Sequence, residues 1–328
     1  MNALVDTGLL QAQPSIEHQR ARPLLGTLVE IAAVGACPER VQAAIARAFQ
    51  AVEMVHTLMS YHEAASDISR INCGAFDRPV EVHEHTGRVL AAARQMAEAS
   101  DGLFDITVAS TLTQLGFLPR HAGFPRISGQ GNWRHVSLLP DNRVRLERRL
   151  RIDVSGIAKG YAVDLAIQVL QDSGMHAGRV NAGGDLRLFG ATEQTLHARH
   201  PQTPGNLVPL IELCAGAAAT SAGYYTQRRH HGRMITPLIH PHTRKACGTT
   251  RSVTVLAQDC MSADALTKIV HADAARAATV LARFNARALM LEHDPVTGGC
   301  RIFDSDATGH GWHARWGVGC ESQQARHV

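Results

Sequence analysis

One short stretch of the chain combines residue types that bind an anion. Asp153 precedes Gly156, and Lys159 follows within a mainly apolar run that predicts a buried helix ending at Ser173-Gly174. The first turn of a helix presents free N–H groups and a partial positive charge, to which Lys159 adds a full charge. Gly183-Gly184 lack Cβ atoms, so the strand around them could approach a ligand closely. The stretch therefore predicts a pocket for a ligand that carries phosphate.

A purely structural interpretation of the same stretch stays open. Buried helices flanked by glycine and carrying one lysine occur in many proteins without a ligand at that position. The chain also lacks the two common phosphate-binding patterns, G-x-x-x-x-G-K-[ST] and G-x-G-x-x-G after a strand. A phosphate at this helix would therefore be bound in a different way.

The elements that must position these residues follow from the spacing of apolar side chains. Helices and strands do not alternate regularly, which argues against a doubly wound sheet and favours an α+β fold. The Gly- and Pro-rich run 121–132 is the best candidate for an internal seam. Besides the helix after Asp153, the predicted helices are 38–60, 84–99 and 273–284, and the predicted strands are 27–33, 143–152 (as a hairpin), 179–189, 207–213, 252–257 and 288–292.

Composition excludes several classes of protein. Of the 328 residues 45% are hydrophobic, enough for a substantial core, and the formal charge of +4 is too scattered for a nucleic-acid partner. Seven cysteines without a C-x-x-C pair predict reduced thiols. No run approaches 18 apolar residues, so no transmembrane segment is expected. Residues 1–24 lack the apolar core of a signal peptide, which predicts a cytoplasmic location.

Five separated blocks of the chain occur in the same order as in one enzyme family. The central block, Asp153 to Asp164, has the sequence D-V-S-G-I-A-K-G-Y-A-V-D. The other four blocks are Leu25 to Thr27, Met59 to Asn72, Gly102 to Val108, and Ser262 to Leu266. Over about residues 22–292 the chain resembles the FAD:protein FMN transferases, also called ApbE-type flavin transferases.

The resemblance implies a fold and a division of the chain. It implies an α+β fold with one compact ApbE-like (T-fold-like) domain, in which mixed or antiparallel sheets are flanked by helices. We expect a flexible tail at residues 1–21, the flavin transferase-like domain at 22–292, and strands followed by a tail at 293–328. Members of this family are often exported, so a periplasmic location is the alternative to a cytoplasmic one.

The resemblance also implies a reaction and a set of site residues. FAD, the substrate, is split at its diphosphate, FMN moves to a Ser or Thr hydroxyl of a partner flavoprotein, and AMP leaves, with Mg²⁺ offsetting the phosphate charge. The implied metal residues are Asp264, which is also catalytic, the Gly156 carbonyl, and the position of Lys268. The implied flavin-nucleotide residues are Leu25, Leu103, Phe104, Asp105, Asp153, Lys159 and Leu238.

Each of these aspartates has a plain structural alternative. Asp264 follows Ser262 and could simply stabilise the amino end of a helix. Asp105 and Asp153 could be turn or strand-end residues.

Three positions depart from the family pattern. The family has Thr where this chain has Lys268, and a charged lysine cannot ligate a metal. Lys268 could supply part of the cation's charge or form an ordinary i,i+4 pair with Asp264. In the loop 235–244, Pro237 replaces a His and His240 replaces an Asp. His240 could accept a proton, although an idle loop residue is favoured because nothing in the sequence fixes its partner.

Besides FMN transfer, two other functions stay open for this chain. Lys268 and Pro237 suggest an FAD-binding relative with weak or no transfer activity. Pairs of histidines suggest a transition-metal binder, although such spacings without cysteine partners are weak evidence. The pairs are His197-x-x-His200, His230-His231 and His240-x-His242.

Overall fold

The computed structural model describes most of the chain. The described residues are 15–127, 131–191, 193–201, 203, 205–223, 226–248, 250–294, 299–305 and 312–316. Residues 1–14 of the predicted tail, part of the predicted seam and most of the residues after 305 therefore lie outside the described residues.

Within the described residues, nine strands form one antiparallel sheet, so the predicted α+β fold is confirmed. The strands are β1 Ile16–Leu24, β2 Thr27–Gly35, β3 Val80–Glu81, β4 Val136–Leu139, β5 Arg143–Leu146, β6 Ala177–Ala182, β7 Asp185–Phe189, β8 Gln194–Arg199, β9 Leu207–Leu213, β10 Gly216–Ala222, β11 Arg228–His230, β12 Arg233–Ile235, β13 Arg251–Ala257, β14 Arg287–His293, β15 Cys300–Ser305 and β16 Trp312–Trp316. The order in the large sheet is β1-β2-β6-β7-β10-β13-β14-β15-β16, with β3-β5-β4, β8-β9 and β11-β12 as smaller sheets.

The helices pack beside this sheet around a common core. They are α1 Pro38–Met59, α2 Asp67–Gly74, α3 Glu84–Ala99, α4 Ala109–Gln114, α5 Ser155–Asp172, α6 Cys260–Ala272 and α7 Ala274–Arg283. The predicted central helix is α5, which lies between α1 and α6 and also contacts β6 and β7. Neighbours on several sides bury half of its 18 residues, and these lie around the helix instead of along one face.

Two strand predictions are wrong in detail. The predicted strand 179–189 is a hairpin, because Gly183 and Gly184 have φ of +61° and +102° and turn the chain between β6 and β7. A Cβ on Gly183 would lie 2.3 Å from Oγ1 of Thr27, so the close approach that this glycine permits is to β2. The predicted hairpin in 143–152 lies earlier, since β5 ends at Leu146 and pairs with β4.

The ends of the described chain extend the sheet. Residues 16–21, which the sequence places in the tail, belong to β1 and pair with β2. After residue 293, β15 pairs with β14 and β16 pairs with β15. The division into tail, domain and C-terminal strands stays a prediction.

His271, near the end of α6, is a buried histidine that the fold keeps neutral. Its Nε2 lies 3.0 Å from the carbonyl oxygen of Ser221, and its Nδ1 has no hydrogen-bond partner among the described residues. Burial, helped by the charges of Lys268 and Arg251, lowers the pKa of His271 to about 4.

Acidification should therefore destabilise the protein through His271. An unfolded histidine binds its proton near pH 6.5, whereas folded His271 stays neutral down to about pH 4. Its stabilising contribution is complete above pH 6.5 and is lost as the pH falls towards 4, a loss of about 3 kcal/mol. Urea unfolding of the wild type and His271→Gln across this range measures the effect. The same pH dependence in both proteins would contradict it.

Candidate active site

Three adjoining cavities surround the N-terminus of α5. The inner cavity (about 170 Å³) is lined by Leu103, Phe104 and Asp105, the apolar cavity (about 540 Å³) by Leu25, Val55 and Tyr61, and the large cavity (about 1070 Å³) by Glu30, Arg179 and Thr220, each with further residues. Ser155 and Pro237 line all three. The cavities therefore form one branched cleft that meets at the first residue of α5.

The branches differ in chemistry. Aromatic and aliphatic side chains dominate the inner and apolar cavities, including Phe104, Leu112, Met59 and Phe117. Polar groups of β2, β6 and β10 line the large cavity. The cleft can therefore hold a ligand that is flat and apolar at one end and polar at the other.

A cluster of two carboxylates and two ammonium groups lies beside the meeting point. The Lys159 ammonium is paired with Oδ2 of Asp185, and the Lys268 ammonium with Oδ1 of Asp264. The second oxygen of Asp264 accepts a hydrogen bond from the backbone N–H of Gly160 at 3.3 Å. Both carboxylates are about 1% exposed, whereas the lysine side chains are 25% and 24% exposed and line the large cavity. The carboxylates are thus buried behind the lysines that reach the cleft.

Charges within this cluster shift the pKa values of its members. Burial and the nearby charge of Asp264 raise the pKa of Asp185 to about 7, although Lys159 opposes the shift. Burial also acts to raise the pKa of Asp264, but Lys268 and Lys159 outweigh it and hold that pKa below its usual value. Burial alone would lower the pKa of Lys159, yet Asp185 and Asp264 hold it above the usual value. Asp264 and Lys159 are therefore charged at neutral pH.

Asp153 and Asp105 make the local contacts that the structural alternative predicts. Asp153 accepts hydrogen bonds from the N–H and hydroxyl of Ser155 at 3.1 Å and 2.5 Å. Asp105 accepts from the N–H of Thr107 at 2.8 Å and of Trp133 at 3.2 Å. Burial is the largest cause of the raised pKa of each carboxyl group. Both residues nevertheless line the inner cavity, so a turn role and a ligand contact are compatible.

Asp264 is not the helix cap that the alternative interpretation predicted. The N-cap of α6 is Asp259, whose side chain accepts from the N–H of Ser262 at 2.7 Å. Asp264 lies one turn further along α6 and points to α5 through Gly160. Its contacts therefore belong to the charged cluster.

The structure brings most of the predicted site residues to the cleft. Leu25 lines the apolar cavity, Gly156 the inner cavity, and Leu238 and Lys268 the inner and large cavities. His240 lines none of these three cavities. Its Nδ1 accepts from the backbone N–H groups of His242 and Thr243 at 3.2 Å and 3.4 Å, so the loop itself uses this ring.

The histidine pairs do not assemble into a metal site. Among the described residues no group of three or more His, Cys, Asp or Glu side chains could hold a metal ion. The transition-metal interpretation therefore has no structural support within that part of the chain.

Sequence reasoning missed the roles of Asp185 and Ser155. Asp185 follows the glycine pair directly, but its partner Lys159 is reached only through the β6–β7 hairpin packed against α5. Ser155 stands two residues after Asp153 at the start of the predicted helix, and that position was the available signal for a residue facing all three cavities.

The chain belongs to a known family: the ApbE family model matches residues 25–290. The FAD:protein FMN transferase of Vibrio cholerae is 29% identical over 66% of this chain and 69% of its own length. The corresponding transferase of Haemophilus influenzae is 25% identical over 65% and 67%. The crystal structure of the ApbE protein of Thermotoga maritima superposes with a TM-score of 0.74 at 25% identity, covering 87% of this chain and 96% of that one.

Membership of the ApbE family confirms the resemblance seen in the five sequence blocks.

Of the residues that the structure describes, none belongs to a helix with the length and apolar character needed to cross a membrane.

Proposed function

We propose that this chain is an FAD:protein FMN transferase that moves FMN from FAD to a hydroxyl group of a partner flavoprotein. The observation that carries the proposal is the branched cleft, in which apolar and polar branches meet at a helix N-terminus beside Lys159 and Lys268. The names of the Vibrio and Haemophilus relatives support the same activity. The alternatives of a transfer-dead flavin binder and a histidine metal binder gain no such support.

FAD matches the chemistry of the cleft branch by branch. The flat isoalloxazine ring suits the apolar cavity, where Leu25, Met59 and Tyr61 offer apolar surface. The adenosine half suits the large cavity with its polar strand residues. The diphosphate then lies at the first turn of α5, where backbone N–H groups and the helix dipole favour negative charge.

The reaction needs little covalent chemistry from the protein. A Ser or Thr hydroxyl oxygen of the acceptor attacks the phosphorus of the FMN half, and the bond from that phosphorus to the bridging oxygen breaks. AMP leaves with the bridging oxygen, and the hydroxyl proton is released. Lys159 and Lys268 orient the diphosphate and offset the charge that develops on it, which is the main contribution of a protein to phosphoryl transfer.

Magnesium does not fit the predicted metal residues as they stand. Mg²⁺ requires oxygen ligands in near-octahedral geometry. One oxygen of Asp264 is paired with the Lys268 ammonium and the other accepts from Gly160, so an ion at this carboxylate would have to share it with a full positive charge. We therefore propose that Lys159 and Lys268 supply the positive charge that faces the FAD diphosphate.

Transfer is tested with purified protein, FAD and an acceptor peptide that contains Asp-x-x-Thr, the acceptor pattern that the family resemblance implies, in parallel with Mg²⁺ and with EDTA. We expect AMP and flavinylated peptide to form in equal amounts, measured by chromatography and mass spectrometry. A peptide with Ala in place of Thr is the control and should give neither product. Tight FAD binding without AMP under both conditions would favour the transfer-dead alternative, and no FAD binding would contradict the proposal.

A further inference from the structure

We infer that Lys268 acts as a built-in cation at the flavin diphosphate, so that this protein binds FAD without a divalent metal ion. This inference rests on the proposed function, because FAD is taken as the ligand. It goes further by assigning the charge that faces the diphosphate to an amino-acid side chain.

The structure fixes the position of the Lys268 ammonium group. Asp264 and Lys268 are four residues apart on α6 and therefore share one face of the helix. The ammonium is paired with Oδ1 of Asp264, while the stem of the side chain lies against the first turn of α5. A Cβ on Gly156 would be 3.4 Å from Cε of Lys268. The lysine thus reaches the start of α5, where the inner and large cavities meet.

The cluster already holds cations that face its acidic groups. Two ammonium groups face two buried carboxyl groups, of which Asp264 is charged at neutral pH, and both oxygens of Asp264 have partners. A divalent ion at Asp264 would have to displace the Lys268 ammonium from the carboxylate and would then lie close to that ammonium. Repulsion between the two positive charges opposes this arrangement. Among the described residues no alternative group of three acidic, His or Cys side chains could receive the ion.

The scarcity of lysine in the chain supports a specific role for Lys268 at the cleft. Lys and Arg together number 33, but lysine occurs only at positions 159, 245 and 268. Two of the three lysines therefore belong to the cluster beside the cleft, and the third, Lys245, is exposed and does not line the three cavities. Lys245 provides a matched control for loss of one lysine charge.

The experiment measures FAD affinity by calorimetry and metal binding by Mn²⁺ electron paramagnetic resonance. We expect the wild type to bind FAD equally in EDTA and in Mg²⁺, within about twofold, and to hold no Mn²⁺. Lys268→Met should lower FAD affinity at least about tenfold in EDTA, the effect of losing one charged hydrogen bond. Lys268→Arg keeps the charge and should retain most of the affinity, and Lys245→Met should have no effect.

Lys268→Thr tests directly whether the Lys268 ammonium takes the place of a divalent metal ion. It frees one oxygen of Asp264 and adds a hydroxyl oxygen on the same helix face, so this variant should bind Mn²⁺ and should recover FAD affinity when Mg²⁺ is added. Wild-type binding of FAD that requires Mg²⁺, together with bound Mn²⁺, would overturn the inference and leave the proposed function intact. Failure of the wild type to bind FAD under either condition would overturn both.

Discussion

Lys159→Met is expected to lower the free energy of unfolding by about 3 to 5 kcal/mol and to weaken FAD binding by about tenfold to a hundredfold. The stability loss arises because Asp185 and Asp264 stay buried while one of the two ammonium groups that offset them is gone. The affinity loss arises because Lys159 lines the large cavity and its charge no longer meets the diphosphate. Urea unfolding and calorimetry measure the two effects separately.

A double variant separates the stability effect from the binding effect. Lys159→Met/Asp185→Asn removes both members of the pair, so the free energy of unfolding should return towards the wild-type value. FAD affinity should stay low, because the asparagine restores no positive charge. Recovery of FAD affinity along with stability would show that Lys159 only supports the fold.

Gly160→Ala is expected to destabilise the protein by about 3 kcal/mol or more. Its Cβ would lie 2.2 Å from the carbonyl oxygen of Cys260, and this backbone cannot rotate away as a side chain would. Helices α5 and α6 must then separate, and the Gly160 N–H moves from Asp264. We therefore expect a lower thermal midpoint and also weaker FAD binding.

Gly74→Ala is the matched control for a helical glycine. Its Cβ would meet only Cγ2 of Val80, at 3.9 Å, and alanine favours a helix more than glycine does. This variant should be as stable as the wild type or more stable by up to about 1 kcal/mol. Equal stability of Gly160→Ala and Gly74→Ala would disprove the close-packing argument.

The elements that the sequence predicts well are those with a local signal. Helix α1 begins at Pro38 and buries one regular face, so its bounds follow from the pattern almost to the residue. The β6–β7 hairpin was missed because apolar alternation continues on both sides of Gly183-Gly184. A Gly-Gly pair between two such runs is itself a signal of a two-residue hairpin turn, and the strand prediction did not use it; β6 and β7 pair directly across this turn.

In the candidate site too, residues with a local sequence signal were predicted, whereas contacts set by tertiary packing were not. The sequence blocks point to Lys159, Asp264 and Lys268, and the structure brings them together. The pairing of Lys159 with Asp185 was beyond reach, since it depends on how the hairpin packs against α5. The structural alternative for Asp264 failed because α6 starts at Cys260 with Asp259 as its N-cap, so Asp264 lies beyond the first turn of the helix.

One border of the main sheet has a consequence for how the protein behaves in concentrated solution. Strand β1 pairs with β2 on one side and ends the described sheet order on the other. An unpaired strand invites a second chain to add to it, and charged side chains and proline oppose such growth. The strand carries four residues of that kind, namely Glu17, Arg20, Arg22 and Pro23. This margin of the molecule therefore resists self-association into fibrils.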